Sequence, residues 1–198
     1  TEVELSLVDD RLITNRITAE LDATIEFVGA VPRDDQALHL FIDLTGVAAD
    51  EVEERLQSLE TVSHVRPLST EGGDGLYHVW VSESPLVELL DRRGVRITSL
   101  TAADGVSTIV GILPSGLDVR TLYEEVRGRY PDTELVARRQ GPEPVETKAL
   151  FRERLLDRLT ERQRQAIQIA VFSGFYEWPR ETKSKKLAEM LDIASSTY

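Results

Sequence analysis

One order of strands and helices occurs twice in this chain, and this repetition constrains its fold more than any other feature. In the first run, alternating apolar and polar residues predict strands, and apolar residues at helical spacing predict two helices between them. The strands are predicted over 2–8, 24–31, 38–44 and 62–68, and the helices through Ile13, Ile17 and Leu21 and over 50–59. The order is therefore β-α-β-β-α-β.

The second run begins after the glycine-rich loop 71–75 and has the same order. Its strands are predicted over 76–81, 95–100, 107–113 and 133–138. Apolar positions of the two runs superpose at a nearly constant offset, since Val79 follows Leu5 by 74 residues and Val136 follows Val65 by 71. Residue identity between the runs is negligible, so only the pattern is repeated.

Each run fits a ferredoxin-like unit, in which an antiparallel sheet carries two helices on one face. We therefore predict an α+β fold with a tandem ferredoxin-like domain over 1–139, whose halves span about 1–69 and 75–139. Two small sheets of this kind could join into one extended sheet or pack face to face. The sequence favours neither arrangement.

Residues 140–146 are predicted to form a linker, because two prolines and a glycine among seven residues disfavour both helix and strand. The charge balance changes at the same point. Residues 148–198 hold ten Lys and Arg against seven Asp and Glu, whereas the rest of the chain holds 13 basic and 28 acidic residues. A mildly basic segment after an acidic one is typical of a nucleic-acid-binding end.

Composition excludes several classes of site. The chain has no Cys, which excludes disulfides and thiolate metal sites, and His39, His64 and His78 show no metal-ligand spacing. We therefore predict no metal and no cofactor. No apolar run approaches the ~20 residues that cross a bilayer, and no signal peptide opens the chain. We expect a cytoplasmic protein with no membrane partner; its start without Met and its end inside a motif predict a fragment of a longer chain.

The C-terminal part predicts a helix-turn-helix domain over 147–198, which opens with a helix over 147–159. Thr160 can cap the next helix, over 161–173, because Gln163 stands three residues later and completes a capping box. Gly174 is placed to end that helix in a left-handed turn.

Ile167 and Val171 are predicted as the buried positions of this second helix. After a short aromatic connector, Thr182 can cap a third helix through 183–191. A tight turn over 192–194 then precedes the start of one more helix.

The last two helices follow the logic of a helix-turn-helix. Leu187, Leu191 and Ile193 would anchor both on one core, and the small Ala188 permits close approach. The short turn fixes the crossing angle, so that the final helix, which begins near Ser195, projects into the major groove.

This segment resembles the helix-turn-helix of bacterio-opsin activator-type regulators of halophilic archaea. The matching stretches are 159–164, 174–180, 187–189, Ile193 and 195–198. The Phe-Tyr-Glu-Trp-Pro-Arg connector is unusual in a generic helix-turn-helix, and Asp192 stands where many such turns place Gly. The N-terminal part more loosely resembles the domain that precedes this motif in the family. The resemblance implies a sequence-specific transcription regulator that binds double-stranded DNA at promoters.

The predicted DNA-binding residues form two sets. The first set begins the recognition helix, where hydroxyls and backbone N–H groups can meet phosphate oxygens. It comprises Ser195, Ser196, Thr197 and Tyr198. The second set is basic and comprises Arg180, Lys183, Lys185 and Lys186. For the three lysines, a solvated helix face is the alternative interpretation.

Other interpretations stay open beside this one. Residues 1–139 can sense a small-molecule effector or mediate dimerisation, and a homodimer is expected because two half-sites multiply affinity and selectivity. The alternative function is a small-ligand-binding or protein-interaction adaptor whose helix-turn-helix does not bind DNA. We do not expect an enzyme, since the carboxylate pairs at 9–10 and 34–35 lie at predicted caps or turns and no nucleotide-binding spacing is present.

Overall fold

The computed structural model describes residues 1–32, 37–140, 159–176 and 182–193, and these ranges contain eight strands and six helices. The strands are β1 Glu2–Leu7, β2 Thr24–Pro32, β3 Leu38–Thr45, β4 Val62–Glu71, β5 Asp74–Val81, β6 Arg96–Ala103, β7 Val106–Ile112 and β8 Thr133–Arg139. The helices are α1 Ile13–Glu20, α2 Ala49–Gln57, α3 Pro85–Arg92, α4 Val119–Arg129, α5 Glu161–Phe172 and α6 Ser184–Met190. The predicted β-α-β-β-α-β order therefore occurs twice, as expected.

All eight strands join one antiparallel sheet with the order β4-β5-β3-β2-β6-β7-β1-β8. The two runs meet where β2 pairs with β6, through Thr24 opposite Ala103 and Glu26 opposite Thr101. Of the two arrangements that the sequence left open, the chain adopts the single extended sheet. The fold is mixed α+β.

The first strand of each run lies among the strands of the other run. Strand β1 is inserted between β7 and β8, where Leu5 faces Ile109 on one side and Leu135 on the other. Strand β5 is inserted between β3 and β4, where Val79 faces Leu40 and Val65. Each four-stranded group is thus completed by a strand from the other run, so the two runs are interlocked.

Helices α1 to α4 cover one face of the sheet, which we call the first face. Their apolar residues form two core clusters with the strands. One cluster includes Ile17 and Leu56, and the other includes Leu90 and Leu122. Phe27 on β2 packs against both clusters and so lies where they meet. Full burial of one such Leu side chain contributes about 1.5–3 kcal/mol to folding.

Local sequence explains how α4 forms on this face. The Asp118 carboxylate accepts hydrogen bonds from the backbone N–H groups of Arg120 and Thr121, at 3.0 and 3.3 Å, as an N-cap should. Leu122 and Val126 then follow at four-residue spacing and are fully buried. The sequence predicts Asp9 or Asp10 as the cap of α1, which is wrong, because the N-cap residue is Leu12 and it makes no side-chain cap bond.

The opposite face of the sheet, the second face, is covered in part by α5 and α6. Alternation along β3 decides what lies where, since Leu40 and Ile42 face the first face while Phe41 faces the second. A third apolar cluster, which we call the docking cluster, joins the helices to the sheet. It comprises Val31, Phe41, Leu68, Ile169, Ala170, Leu187 and Met190.

One prediction for α5 is wrong. Ile167 and Val171 are exposed by 39% and 52%, whereas Ile169 and Ala170 are buried against the sheet. Apolar residues occur nearly all round this helix, so periodicity alone could not select the buried side. The repeat also predicted equivalent burial for Val65 and Val136, yet Val136 lies exposed on the edge strand β8.

Candidate nucleic-acid interface

Helix α5 begins and ends as its sequence predicts. The Thr160 hydroxyl accepts from the Gln163 backbone N–H at 3.4 Å, and the Gln163 side chain accepts from the Thr160 N–H at 3.0 Å. This reciprocal pair satisfies two donors that the first helical turn leaves open. At the other end Gly174 has φ of 67°, which confirms the left-handed turn.

Helix α6 is short and is fixed by burial on one side. Leu187, Ala188 and Met190 are almost fully buried, which places the helix firmly against the docking cluster. The predicted cap at Thr182 is wrong, because α6 starts at Ser184 and its N-cap residue is Lys183, without a side-chain cap bond.

The turn after α6 is closed by backbone hydrogen bonds. The Ile193 N–H donates to the Ala188 carbonyl at 3.0 Å, and Asp192 itself has φ of 53°. Asp192 therefore adopts the left-handed conformation in which a turn of this kind usually places Gly, as expected from its tolerance of that region. This turn sets the direction in which the chain leaves α6.

The structure brings three of the predicted DNA-binding residues together at the start of α6. Lys183 and Lys185 are exposed, and Lys186 is half-buried. Among the described residues, no carboxylate forms an ion pair with any of the three. Their ammonium groups can therefore meet an outside anion. The other predicted residues, Arg180, Ser195, Ser196, Thr197 and Tyr198, lie outside the described residues.

The acidic side chain of α6 pairs with a residue of the sheet. Glu189 forms an ion pair with Arg66 on β4, with an N–O distance of 3.2 Å. The side chains are 26% exposed for Arg66 and 47% for Glu189. This pair neutralises the one carboxylate within α6 and ties the helix to an edge strand of the sheet.

Aromatic rings on β3 and β5 extend the docking cluster along the second face of the sheet. His39 Nδ1 is 2.8 Å from His78 Nε2, and both residues are buried. The His78 ring stacks on Phe41 at 4.8 Å between centroids, and Phe41 in turn lies 5.7 Å from Phe172 of α5. One of the two facing nitrogens must accept the hydrogen bond through its lone pair. The two rings therefore cannot both be imidazolium cations while this bond persists.

The sequence does not predict these ring contacts, because the spacing of the histidines along the chain gives no sign that they meet. His39 and His78 meet only because β3 and β5 are neighbours, which periodicity does not reveal. Within the described ranges, no group of three or more His, Cys, Asp or Glu side chains is placed to hold a metal ion. None of the described helices has both the length and the apolar character that a membrane crossing demands.

Two known families match separate parts of the chain. Residues 1–153 match the BAT family, described as the GAF and HTH_10 associated domain. Residues 159–198 match the HTH_10 family, described as an HTH DNA binding domain.

Two relatives from halophilic archaea are also similar to this chain. The first, the bacterioopsin transcriptional activator of Halobacterium salinarum, is 38% identical over 118 residues, which cover 60% of this chain and 17% of that protein. The second, a protein of Haloferax volcanii provisionally named a transcriptional regulator, is 26% identical over 197 residues, which cover 99% of this chain and 34% of that protein. The chain thus spans only a minor part of each relative's length. The resemblance inferred from the C-terminal motif is confirmed.

Proposed function

Since this chain belongs to the BAT family and carries a DNA-binding domain of the HTH_10 family, we propose that it regulates transcription by binding promoter DNA in a sequence-specific manner. The observation that carries the proposal is the geometry of α6. One side of this helix is fixed on the sheet, and the closed turn at Asp192 directs the chain onward. Its first turn presents lysines that form no ion pair with any carboxylate of the described residues. A rigid base of this kind suits a helix that must enter the major groove at a set angle.

We assign the two predicted sets of DNA-binding residues different roles. Lys183, Lys185 and Lys186 contact phosphates, together with Arg180, and so position the domain without reading sequence. Residues 195–198 begin the recognition helix, and their hydroxyls bind the phosphates that flank the bases. When the lysines neutralise phosphates, counterions are released from the DNA, and the affinity for DNA therefore falls as the salt concentration rises.

The domain organisation that we propose follows the predicted boundaries, with a regulatory domain over 1–139, a linker over 140–146 and the helix-turn-helix over 147–198. We further propose that the regulatory domain is a pair of ferredoxin-like units that have exchanged their first strands. In a β-α-β-β-α-β unit of this type the first strand lies between the third and the fourth. Here β5 occupies that place in the first unit and β1 occupies it in the second, which supports the proposal.

The regulator acts as a homodimer in this proposal, and its regulatory domain responds to a small-molecule effector. Two copies of the helix-turn-helix would read two half-sites about 34–36 Å apart. The packing of α5 and α6 on the sheet supports a coupled arrangement, because any change in the sheet reaches the DNA-binding helices directly. We assign no catalytic role to the chain. Its Asp9 carboxylate is occupied by Arg11.

Immunoprecipitation of cross-linked DNA from cells that contain the tagged protein tests the proposal. We expect a limited set of promoter-proximal sites that share one motif. The combined variant Lys183→Gln, Lys185→Gln and Lys186→Gln should lose most of this signal, because its affinity for DNA falls when three phosphate contacts are removed. Each lost contact should also lower the slope of log affinity against log salt by about one. A flat profile for the unmodified protein would instead favour an adaptor that does not bind DNA.

A matched control separates local contacts from net charge. The combined variant Arg96→Gln, Arg120→Gln and Arg127→Gln removes the same charge from exposed positions of β6 and α4. Neither β6 nor α4 contributes a residue to the docking cluster, so these positions lie away from the DNA-binding helices. The control should keep the promoter profile, and equal losses in both variants would show that the lysines have no local role.

A further inference from the structure

A cavity of about 600 Å³ lies on the first face of the sheet, where the two core clusters meet. Its floor is apolar and is built from the centre of the sheet, by Phe27 on β2, Leu40 and Ile42 on β3 and Leu100 on β6. Its walls come from α1 and α3. The volume falls within the range of small-molecule sites, about 300–1,000 Å³, and an apolar floor is typical of such sites.

Arginines from three separate segments surround the cavity. We call them the arginine rim; they are Arg11, Arg16, Arg92 and Arg129. Among the described residues that line the cavity, only Glu83 and Glu88 carry the opposite charge. A neighbouring hollow shares three members of the rim and adds Arg93, which Glu125 neutralises at 2.6 Å. This concentration of positive charge is unexpected in a chain of net charge −12.

Arg11 is held in place by its surroundings. Its Nε donates to the Asp9 carboxylate at 2.8 Å, and its Nη2 donates to the Arg129 carbonyl. Its guanidinium also lies 5.1 Å from the centre of the Tyr130 ring. Arg11 therefore fixes the end of α4 and with it the position of Arg129 at the rim.

The other three members of the rim keep free capacity for an anion. In the part of the chain that the structure describes, Arg16, Arg92 and Arg129 form no ion pair with a carboxylate. Arg129 donates one bond to the Pro85 carbonyl, at 3.3 Å, and Arg92 donates one to the Glu88 carbonyl, also at 3.3 Å. A guanidinium has five N–H donors, so most of them stay available for a carboxylate, phosphate or sulfonate.

We propose that this cavity binds an amphipathic organic anion. The apolar body of the ligand lies on the floor formed by Phe27, Leu40 and Ile42, and its acidic group binds Arg92 and Arg129 of the rim. The planar fork of an arginine suits the two oxygens of such a group. This inference rests on the proposed function, in which the anion is the effector of the regulator.

Strand β3 connects this site to the DNA-binding helices. Leu40 and Ile42 line the cavity on the first face, whereas Phe41 between them belongs to the docking cluster on the second face. A ligand on the floor is therefore one residue away from the contact between Phe41 and Phe172 of α5. No longer route through the protein is needed for the ligand to affect the helix-turn-helix.

Two fluorescent probes that differ in one group test the proposal on the full chain. The probes are 8-anilinonaphthalene-1-sulfonate and N-phenyl-1-naphthylamine, which has the same rings without the sulfonate. Titrations are made without DNA at one fixed KCl concentration at which circular dichroism shows the native fold. We expect a single sulfonate site per chain.

The combined variant Arg92→Gln and Arg129→Gln should lower the affinity for the sulfonate probe about tenfold and the affinity for the neutral probe by less than about twofold. The control Arg120→Gln and Arg127→Gln removes the same charge from α4 outside the cavity and should leave both affinities unchanged. Equal weakening of the two probes, equal effects in both variants, or no binding by the folded chain would each overturn the proposal.

A competition on the unmodified chain covers the case in which the rim variant does not fold. Decanoate should displace the sulfonate probe at a concentration about tenfold lower than 1-decanol does, and equal potency would reject an anion site. Failure of the regulator proposal can be distinguished from failure of this one. If the chain binds promoters but no anion, only the anion site is rejected. If it binds the anion but no promoter, only the regulator proposal is rejected.

Discussion

The ring of Phe172 on α5 lies directly against the backbone of Gly29 on β2. A methyl group on Gly29 would approach the ring to 2.5 Å, which no side chain tolerates without movement. Gly29 also follows the point at which the pairing of β2 with β3 shifts register, between Phe27 and Gly29. The absence of a side chain at one position of the sheet thus allows a helix of the DNA-binding part to approach closely.

Replacing Gly29 by Ala should therefore loosen α5 from the sheet. We expect the free energy of unfolding to fall by about 1–3 kcal/mol, the usual cost of overpacking. Denaturant unfolding measures the change. In the double variant Gly29→Ala and Phe172→Leu, the smaller side chain should recover part of the loss. If the single variant is as stable as the unmodified chain, α5 does not pack here in solution.

Gly128 on α4 supplies the opposite case. Apart from the neighbouring turns of α4, no atom of the described residues would lie within 4 Å of a methyl group at this position. Replacing Gly128 by Ala should raise the free energy of unfolding by about 0.5–1 kcal/mol, because Ala loses less entropy than Gly in a helix. The same denaturant titration checks it. A destabilised Gly128→Ala variant would show that α4 has a neighbour there.

The attachment of α6 should depend on apolar contact far more than on its ion pair. Replacing Leu187, which is fully buried, by Ala should lower the free energy of unfolding by about 2–5 kcal/mol. Replacing Glu189 by Gln removes the ion pair with Arg66 and should cost at most about 1 kcal/mol, since both side chains are partly exposed. Chemical unfolding of both variants compares the two effects, and a larger loss from Glu189→Gln would contradict this ranking.

Asp9 should make stability depend on pH in the acid range. The side-chain hydrogen bond from Arg11 lowers the pKa of this carboxyl below its ordinary value, although burial partly opposes the shift. The folded state therefore favours the charged form, and the contribution of Asp9 is present above pH 3.8 and is lost as the pH falls through the lower folded value.

The variant Asp9→Asn tests this dependence. It should be less stable than the unmodified chain near pH 7, and the difference should shrink as the pH falls below about 4. Thermal unfolding across this range measures it, with Asp10→Asn as the neighbouring control. A difference that is constant with pH would mean that Asp9 contributes by packing and not by its charge.

The turn after α6 should accept glycine more readily than any residue with a branched side chain. Asp192 has φ of 53°, a conformation that costs an ordinary residue about 1–2 kcal/mol and glycine nothing. Replacing Asp192 by Gly should preserve stability or raise it slightly, whereas replacing it by Val should lower it by about 1–2 kcal/mol. Differential scanning calorimetry would check both variants. Equal melting temperatures for Gly and Val would contradict a left-handed turn.

The sequence predicted where the strands and helices lie along the chain far better than which strands lie side by side in the sheet. Alternation located each strand, and apolar residues at helical spacing located the four helices of the first face, because these signals act over a few residues. The positions of β1 and β5 in the sheet could not be predicted, since Leu5 and Val79 have the same buried pattern in either group of strands. Periodicity shows which side of a strand is apolar and does not show which strand lies beside it.

The candidate sites were predictable to different degrees. The start of α5 and the turn at Asp192 could be predicted because single residue types decide them. The buried face of α5 could not, because Ile167 competes with Ile169 and only the shape of the sheet decides between them. The arginine rim was also missed, since Arg11 and Arg129 are brought together by tertiary structure alone.

The position of β1 between β7 and β8 has a consequence for how the chain is made. Leu5 pairs with Ile109 and Leu135, which leave the ribosome more than a hundred residues later. The earliest strand to be synthesised therefore pairs only after the latest has appeared, and the group of β2, β3 and β4 is not complete until β5 has been made. Assembly of the sheet is consequently a late and collective event, and a nascent chain arrested midway carries an unpaired strand that invites aggregation.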